Sequence, residues 1–224
     1  MNYDIAIDGP AGAGKSTIAK RLAKALDLIY VDTGAMYRAI GLYMLRNNVN
    51  ASDEAAVVTA LKDVDVDIRY EEGAQIVILN GENVNGLIRT EEVGMAASAF
   101  SALAPVRAHL LNLQQGLATR SDVVMDGRDI GTAILPSAFL KIYLTASSAE
   151  RAKRRYKELL EKGESADLAK IEEDIIKRDE QDMNRTVSPL KKADDAVTVD
   201  ASFMNIEEVT DTILKAYNEK KESK

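Results

Sequence analysis

The run Gly9-Pro10-Ala11-Gly12-Ala13-Gly14-Lys15-Ser16-Thr17 has the residue types and spacing to hold a polyphosphate. It fits G-x-x-x-x-G-K-[ST], a loop whose glycines let backbone N–H groups wrap phosphate oxygens. Lys15 is placed to reach the β- and γ-phosphates of a triphosphate, and the Ser16 hydroxyl can ligate Mg²⁺. Such a loop needs a strand before it and a helix after it. Tyr3 to Asp8 is short and apolar enough for a buried strand, and Ile18, Ala19, Leu22, Ala23 and Leu26 recur at helical spacing. The N-terminus of that helix adds a favourable partial positive charge at the phosphates.

Three further constellations carry polar chemistry. Asp32-Thr33-Gly34-Ala35-Met36-Tyr37-Arg38 closes a second apolar run, where open α/β sheets bind ligands. Thr33 offers a hydroxyl and a helix cap, Tyr37 an aromatic face, and Arg38 a forked cation suited to phosphate. Met125-Asp126-Gly127-Arg128-Asp129-Ile130-Gly131 ends an apolar strand in Asp, as a Walker B element does, with a carboxylate able to hold Mg²⁺ or its waters. The last is a set of arginines. Arg151, Arg154 and Arg155 share one short helix, while Arg178, Asp182 and Arg185 fall at i, i+4 and i+7 on one face of another. Arginines converging on a phosphate stabilise the charge of phosphoryl transfer; solvated arginines on a helix form only weak surface pairs. His109, in an apolar helical run, reads as structural, and local pattern alone gives Ser98 and Arg107 no role.

The elements that must position these residues alternate along the chain. Strands are expected at 3–8, 28–32, 123–126, 139–144 and 196–200, with helices between them and a closing helix over 206–217. A helix from Thr33 to about Asn47 and a short one from Ser52 to about Lys62 lead into a different pattern. Between Val64 and Val84 apolar and polar residues alternate, with turn signals at Glu72-Gly73 and Asn80-Gly81, which predicts a small antiparallel meander. A helical region over 90–119 is interrupted near Ala104-Pro105, and charged helices over 148–162 and 167–184 follow the fourth strand. The tail 219–224 is expected to fray. Five strands alternating with helices predict a mostly parallel sheet covered on both faces.

Composition narrows the function classes. The 224 residues suit one α/β domain with insertions, and 46% hydrophobic with 29% charged residues is ordinary for a globular protein. A net charge of −7 argues against a basic nucleic-acid-binding surface. With no cysteine there is no disulfide or thiolate metal site, which agrees with a reducing cytoplasm, and one histidine cannot build a multi-histidine centre. No apolar run approaches the roughly 20 residues that span a bilayer, and the first residues lead directly into a strand and a phosphate loop rather than a signal peptide.

In order, Gly-Pro-Ala-Gly-Ala-Gly-Lys-Ser, Asp-Thr-Gly-Ala-Met-Tyr-Arg, Asp-Gly-Arg-Asp-Ile-Gly-Thr and Arg-Asp-x-x-Asp-x-x-Arg resemble the bacterial-type cytidylate kinases, from Ile5 to the final helix. The resemblance implies a P-loop NTPase-like α/β fold: a five-stranded, mostly parallel sheet flanked by helices. It implies one kinase domain with a core of 1–63, 96–147 and 186–224, an inserted β-containing monophosphate-binding subdomain at 64–95, and a helical lid within 148–185. It also implies an ATP site at Gly9, Pro10, Ala11, Gly12, Ala13, Gly14, Lys15, Ser16 and Thr17, with Arg151, Arg154 and Arg155 closing over the triphosphate. A CMP site of Thr33, Tyr37, Arg38, Ser98, Arg107, Arg128, Asp129, Arg178, Asp182 and Arg185 is implied in the same way. In it Arg38, Arg128 and Arg185 attend the acceptor phosphate, Ser98, Arg107 and Asp129 face cytosine, and Arg178 and Asp182 face the sugar. Lys15, Arg128 and Arg185 are the implied catalytic residues, and Ser16 the implied Mg²⁺ ligand.

The activity so implied is transfer of the γ-phosphoryl of ATP, with Mg²⁺, to CMP or dCMP in pyrimidine nucleotide metabolism. The acceptor phosphate is already a nucleophile at pH 7, so alignment and charge neutralisation matter more than a strong base. The expected enzyme is a cytoplasmic monomer that binds small molecules, with neither nucleic acid polymers nor membrane as partners. A P-loop kinase for another small phosphorylated acceptor, such as dephospho-coenzyme A, is the alternative. A P-loop switch GTPase fits less well, because the chain has no Asn-Lys-x-Asp run to read guanine.

Overall fold

The structure, a computed structural model, describes residues 2–223. Along the chain it forms β1 (Ile5–Asp8), α1 (Lys15–Leu26), β2 (Ile29–Asp32), α2 (Thr33–Arg46), α3 (Glu54–Ala60), β3 (Val66–Glu71), β4 (Ala74–Leu79), β5 (Glu82–Asn83), α4 (Glu91–Ser101) and α5 (Ala104–Arg120). There follow β6 (Val123–Gly127), a single π turn (Ile130–Ile134), β7 (Leu140–Thr145), α6 (Ser148–Glu161), α7 (Leu168–Asn184), β8 (Val197–Asp200) and α8 (Ile206–Glu222). Five strands form one sheet in the order β2-β6-β1-β7-β8, and β3-β4-β5 form a second. The pairs β1 with β6, β1 with β7 and β7 with β8 are parallel, as the alternation of strands and helices predicts. The second sheet is the antiparallel meander, with Val66 opposite Leu79 and Tyr70 opposite Gln75.

The chain divides into two compact units, Met1–Leu28 with Asp122–Lys224, and Ile29–Ser121. The expected insert at 64–95 falls within the second. In the first unit β1 and β6 are buried along their whole length, the property of strands covered on both faces. α1 buries Ile18, Ala19, Leu22 and Ala23, and α8 buries Val209, Ile213 and Tyr217 behind an Asn205–Glu208 capping box. In the second unit α2 and α4 pack at close range at Gly41, where a Cβ would come 2.9 Å from the Ala97 nitrogen.

Two local expectations change. Thr33 is not the cap of α2; Asp32 is, its side chain accepting from the Ala35 N–H at 3.0 Å while Thr33 is already helical. Residues 219–222 are not frayed but continue α8, and Lys220 and Lys221 lie over the rings of Phe139 and Tyr3. Cation–π attraction of this kind anchors the last turn.

Candidate active site

The glycines of the phosphate loop answer to its geometry. Gly9 leaves β1 so close to β7 that a Cβ would sit 1.9 Å from the Leu144 carbonyl oxygen, which no side chain can accommodate. Gly12 and Gly14 have φ of +75° and +91°, the left-handed region that glycine enters without strain. Gly14 then caps α1, which aims its free N–H groups into the loop. Ser16 and Thr17 are exposed on the first turn, whereas Lys15 is buried. The Lys15 ammonium donates to the carbonyls of Gly9 at 2.8 Å and Pro10 at 2.7 Å. Burial pulls its pKa from 10.5 down to about 7, and the nearby Arg128 cation pushes the same way.

β6 brings its carboxylate to this loop. The Ser16 hydroxyl donates to Asp126 Oδ2 at 2.9 Å. The pairing of β1 with β6 sets Asp8 opposite Gly127, so the loop after β1 and the segment after β6 leave the sheet at the same level. Asp8 reinforces this. Its two carboxylate oxygens accept from the N–H groups of Ile130 at 2.7 Å and Gly131 at 2.8 Å. Those residues open the π turn, a form that recurs at functional sites. Burial raises the Asp8 carboxyl to about 6, although both N–H donors pull it down.

α7 holds Arg128 and Asp129 from the other side. Arg128 Nε donates to Asp182 Oδ2 at 2.8 Å, and Arg185 Nη2 lies 3.7 Å from Asp129 Oδ1 with both side chains almost fully buried. Arg185 Nε also donates to the Ser188 carbonyl at 2.6 Å. Four of the residues implied for the acceptor, Arg128, Asp129, Asp182 and Arg185, are therefore brought together, and Arg178 lies on the same helix, half-buried.

The three arginines expected of a lid go to different places. Arg151 is buried and donates to the carbonyls of Ala146 and Ala11 and to Asp179 Oδ2 at 2.6 Å. It thus touches the phosphate loop through the backbone of Ala11. Arg154 donates to the Ala201 carbonyl at 2.6 Å, and Arg155 pairs with exposed Glu158 at 3.4 Å.

The remaining candidates lie in the second unit. Thr33, Tyr37 and Arg38 occupy the first turns of α2, Thr33 and Tyr37 buried and Arg38 half-buried. The Arg107 guanidinium lies 5.4 Å from the centre of the Tyr37 ring and donates to the Ser101 carbonyl at 3.3 Å. Ser98 is one turn before Ser101 on α4, beside the Gly41–Ala97 approach to α2. Tyr37 and Arg107 thus come together across 70 residues of sequence. His109 is exposed on α5.

Sequence reasoning missed three polar residues that the geometry brings forward: Asp8, Asp179 and Gln75. Asp8 directly precedes the glycine loop, and its place at a buried strand end was the available signal. Asp179 follows Arg178, but its partner Arg151 is 28 residues away. Gln75 has no local signal; its amide bonds the backbone of Asp32, 43 residues earlier.

The sequence model of the family described as cytidylate kinase matches residues 5–219. A cytidylate kinase of Caldicellulosiruptor bescii is 50% identical over 214 residues, 96% of this chain and 95% of that one. One of Listeria monocytogenes serotype 4b is 52% identical over 94% of this chain and 93% of its own. One of a Geobacillus species is 47% identical over 98% of both. Among solved structures, an uncharacterized protein of Eubacterium ventriosum superposes with a TM-score of 0.52 at 14% identity, covering 98% of this chain and 99% of that one, a likeness of fold.

Proposed function

Since the chain belongs to the cytidylate kinase family, we propose that its Gly9–Thr17 loop binds ATP and that Arg128, Asp129, Arg178, Asp182 and Arg185 serve the acceptor nucleotide in the transfer of a phosphoryl group to CMP or dCMP. One observation carries this assignment. The donor loop and the Arg128–Asp129 segment leave adjacent strands at one level, with Asp8 bonded to the turn that follows Asp129. Thr33, Tyr37, Arg38, Ser98 and Arg107 of the second unit complete the proposed acceptor set. In this reading 64–95 is the monophosphate-binding insert, and 148–185 holds the lid and the helix that follows it.

Ser16 and Asp126 suit Mg²⁺, a hard cation that takes oxygen ligands and commonly uses one or two carboxylates besides substrate phosphates and water. When bound, Mg²⁺ supplies neutralisation of charge on the β- and γ-phosphates. The protein's own groups do the rest. Loop N–H groups and Lys15 fix the triphosphate, and Arg128 and Arg185 hold the acceptor phosphate in line. An acceptor oxygen forms the new P–O bond as the bond to the ADP oxygen breaks, and those bonding electrons leave with ADP. Two anions must approach each other, so three cationic side chains address the largest electrostatic barrier.

A coupled ADP-release assay with CMP, dCMP, UMP, AMP and GMP tests the reading, and CMP and dCMP are expected to give the highest kcat/KM. Preference for another acceptor would replace it with the alternative P-loop kinase. The reading extends to a monomer in the cytoplasm, which size-exclusion chromatography and fractionation test.

A further inference from the structure

β2 ends the sheet order, and the residues that follow it open α2. The antiparallel sheet reaches the backbone of β2 through one cross-strand pair. Tyr70 on β3 stands opposite Gln75 on β4. The Tyr70 hydroxyl donates to the Tyr30 carbonyl at 3.1 Å. The Gln75 side chain uses both ends of its amide: Oε1 accepts from the Asp32 N–H at 2.8 Å, and Nε2 donates to the Asp32 carbonyl at 3.1 Å. An amide bonded this way imitates the peptide group of a neighbouring strand. β4 is itself held at this point, because Asn85 accepts from the Val77 N–H at 2.9 Å and donates to the Gln75 carbonyl at 3.0 Å. Asp32 then caps α2 through Ala35, and the next turns carry Thr33, Tyr37 and Arg38.

We propose that Gln75 and Tyr70 are positioning residues that fix the first turn of α2, and with it the side chains that meet the acceptor monophosphate, to the antiparallel sheet. This rests on the reading that Thr33, Tyr37 and Arg38 serve the acceptor. Three polar atoms of β2, Tyr30 O, Asp32 N and Asp32 O, are satisfied by two side chains on one face of the small sheet. A half-buried glutamine can satisfy both groups of one residue only from one register, so the amide sets where α2 begins and not merely that it is covered.

The test is Gln75→Met, which keeps the length and bulk of the side chain and removes both hydrogen bonds. KM for CMP, KM for ATP, kcat at saturating substrates and the exchange rate of the Asp32 amide are measured. The expected result is a rise of about tenfold in KM for CMP, with KM for ATP and kcat within about twofold of wild type and faster Asp32 exchange. Faster exchange with an unchanged KM for CMP overturns the proposal, as does a matched rise in both KM values, which is general loosening. Tyr70→Phe keeps the ring and removes one bond, so it carries the same test if Gln75→Met does not fold: a selective rise in KM for CMP supports the proposal and none overturns it. Arg38→Ala separates the two levels. A raised KM for CMP there with none in Gln75→Met overturns the positioning role alone. No rise in Arg38→Ala overturns the acceptor reading of α2 and the proposal with it.

Discussion

Arg151 and Asp179 form a buried ion pair, Nη2 to Oδ2 at 2.6 Å, with 5% and 12% of the side chains exposed. The same guanidinium donates to the Ala11 carbonyl, so α6, α7 and the phosphate loop meet at one side chain. Asp179 is four residues before Met183 and three before Asp182, which holds Arg128. The charge pair therefore joins the loop proposed to take the donor to the helix proposed to take the acceptor.

Removing one partner of a buried pair costs about 3–5 kcal/mol, whereas replacing both with apolar groups is often close to neutral. Asp179→Leu is expected to lower stability by that order, and Arg151→Met with Asp179→Leu to recover a substantial part. Turnover is expected to stay low in the double variant, because the tie to Ala11 is lost. Urea denaturation of the two single variants and the double gives the answer. A double variant whose loss equals the sum of the singles would show that the two side chains do not act as a pair.

Lys15 places a cation where burial opposes it. With its pKa lowered from 10.5 to about 7, the unfolded chain binds more protons at this residue than the folded chain between those values. Stability from this group therefore rises with pH across that window, and its penalty is fullest at pH 7 and below. Lys15→Met removes the penalty and also the two loop hydrogen bonds. The stability of Lys15→Met relative to wild type is expected to be most favourable near pH 7 and to decline toward pH 10, read from Tm at each pH. Turnover is expected to fall by about a thousandfold or more if, as proposed, the charge acts on the transferring phosphoryl group. A folded Lys15→Met protein with near-native turnover refutes the role.

Gly41 lets α2 and α4 approach. A Cβ would meet the Ala97 backbone nitrogen at 2.9 Å and the Val93 carbonyl at 3.3 Å, and neither can move alone. Gly41→Ala is expected to destabilise by about 1–3 kcal/mol despite the better helix propensity of alanine. It would also shift Ser98, the next residue after Ala97, and raise KM for CMP more than KM for ATP. Guanidinium denaturation and steady-state kinetics read the two effects separately.

The phosphate loop was legible because its chemistry demands glycine at fixed offsets from lysine, and Gly9, Gly12 and Gly14 meet those demands through a close approach to β7 and two left-handed backbones. The five strands were legible because each is an apolar run between helix signals. The cap of α2 was not. Asp32 and Thr33 are both good caps, and the extended backbone of Asp32, φ −89° and ψ 96°, decides between them. Gln75 and Asp179 were illegible for a different reason. A glutamine that bonds a backbone 43 residues away and an aspartate paired across 28 residues leave no periodic trace. Asp8 bonds N–H groups 122 and 123 residues away. Long-range contacts to backbone atoms depend on topology, which spacing alone does not encode.

Asp129 raises the question of base selectivity. Cytosine carries an amino donor at C4 where uracil carries a carbonyl acceptor, and an ionised carboxylate only accepts. Asp129 facing the base would welcome the first and repel the second. The structure gives the carboxylate a second role to weigh, because Arg185 Nη2 lies 3.7 Å from Asp129 Oδ1 in a nearly dry setting. An Asp129 that only orients Arg185 would affect every acceptor alike, since all share the phosphate. A buried polar group left unpaired costs about 1–3 kcal/mol, so base reading could separate CMP from UMP by one to two orders of magnitude. Asp129→Asn offers a donor as well as an acceptor and can rotate to suit either base. The expected outcome is a lower kcat/KM for CMP and a narrower CMP-to-UMP ratio, measured for both acceptors at saturating ATP. If both values fall by the same factor, Asp129 acts through Arg185 on the phosphate and does not read the base.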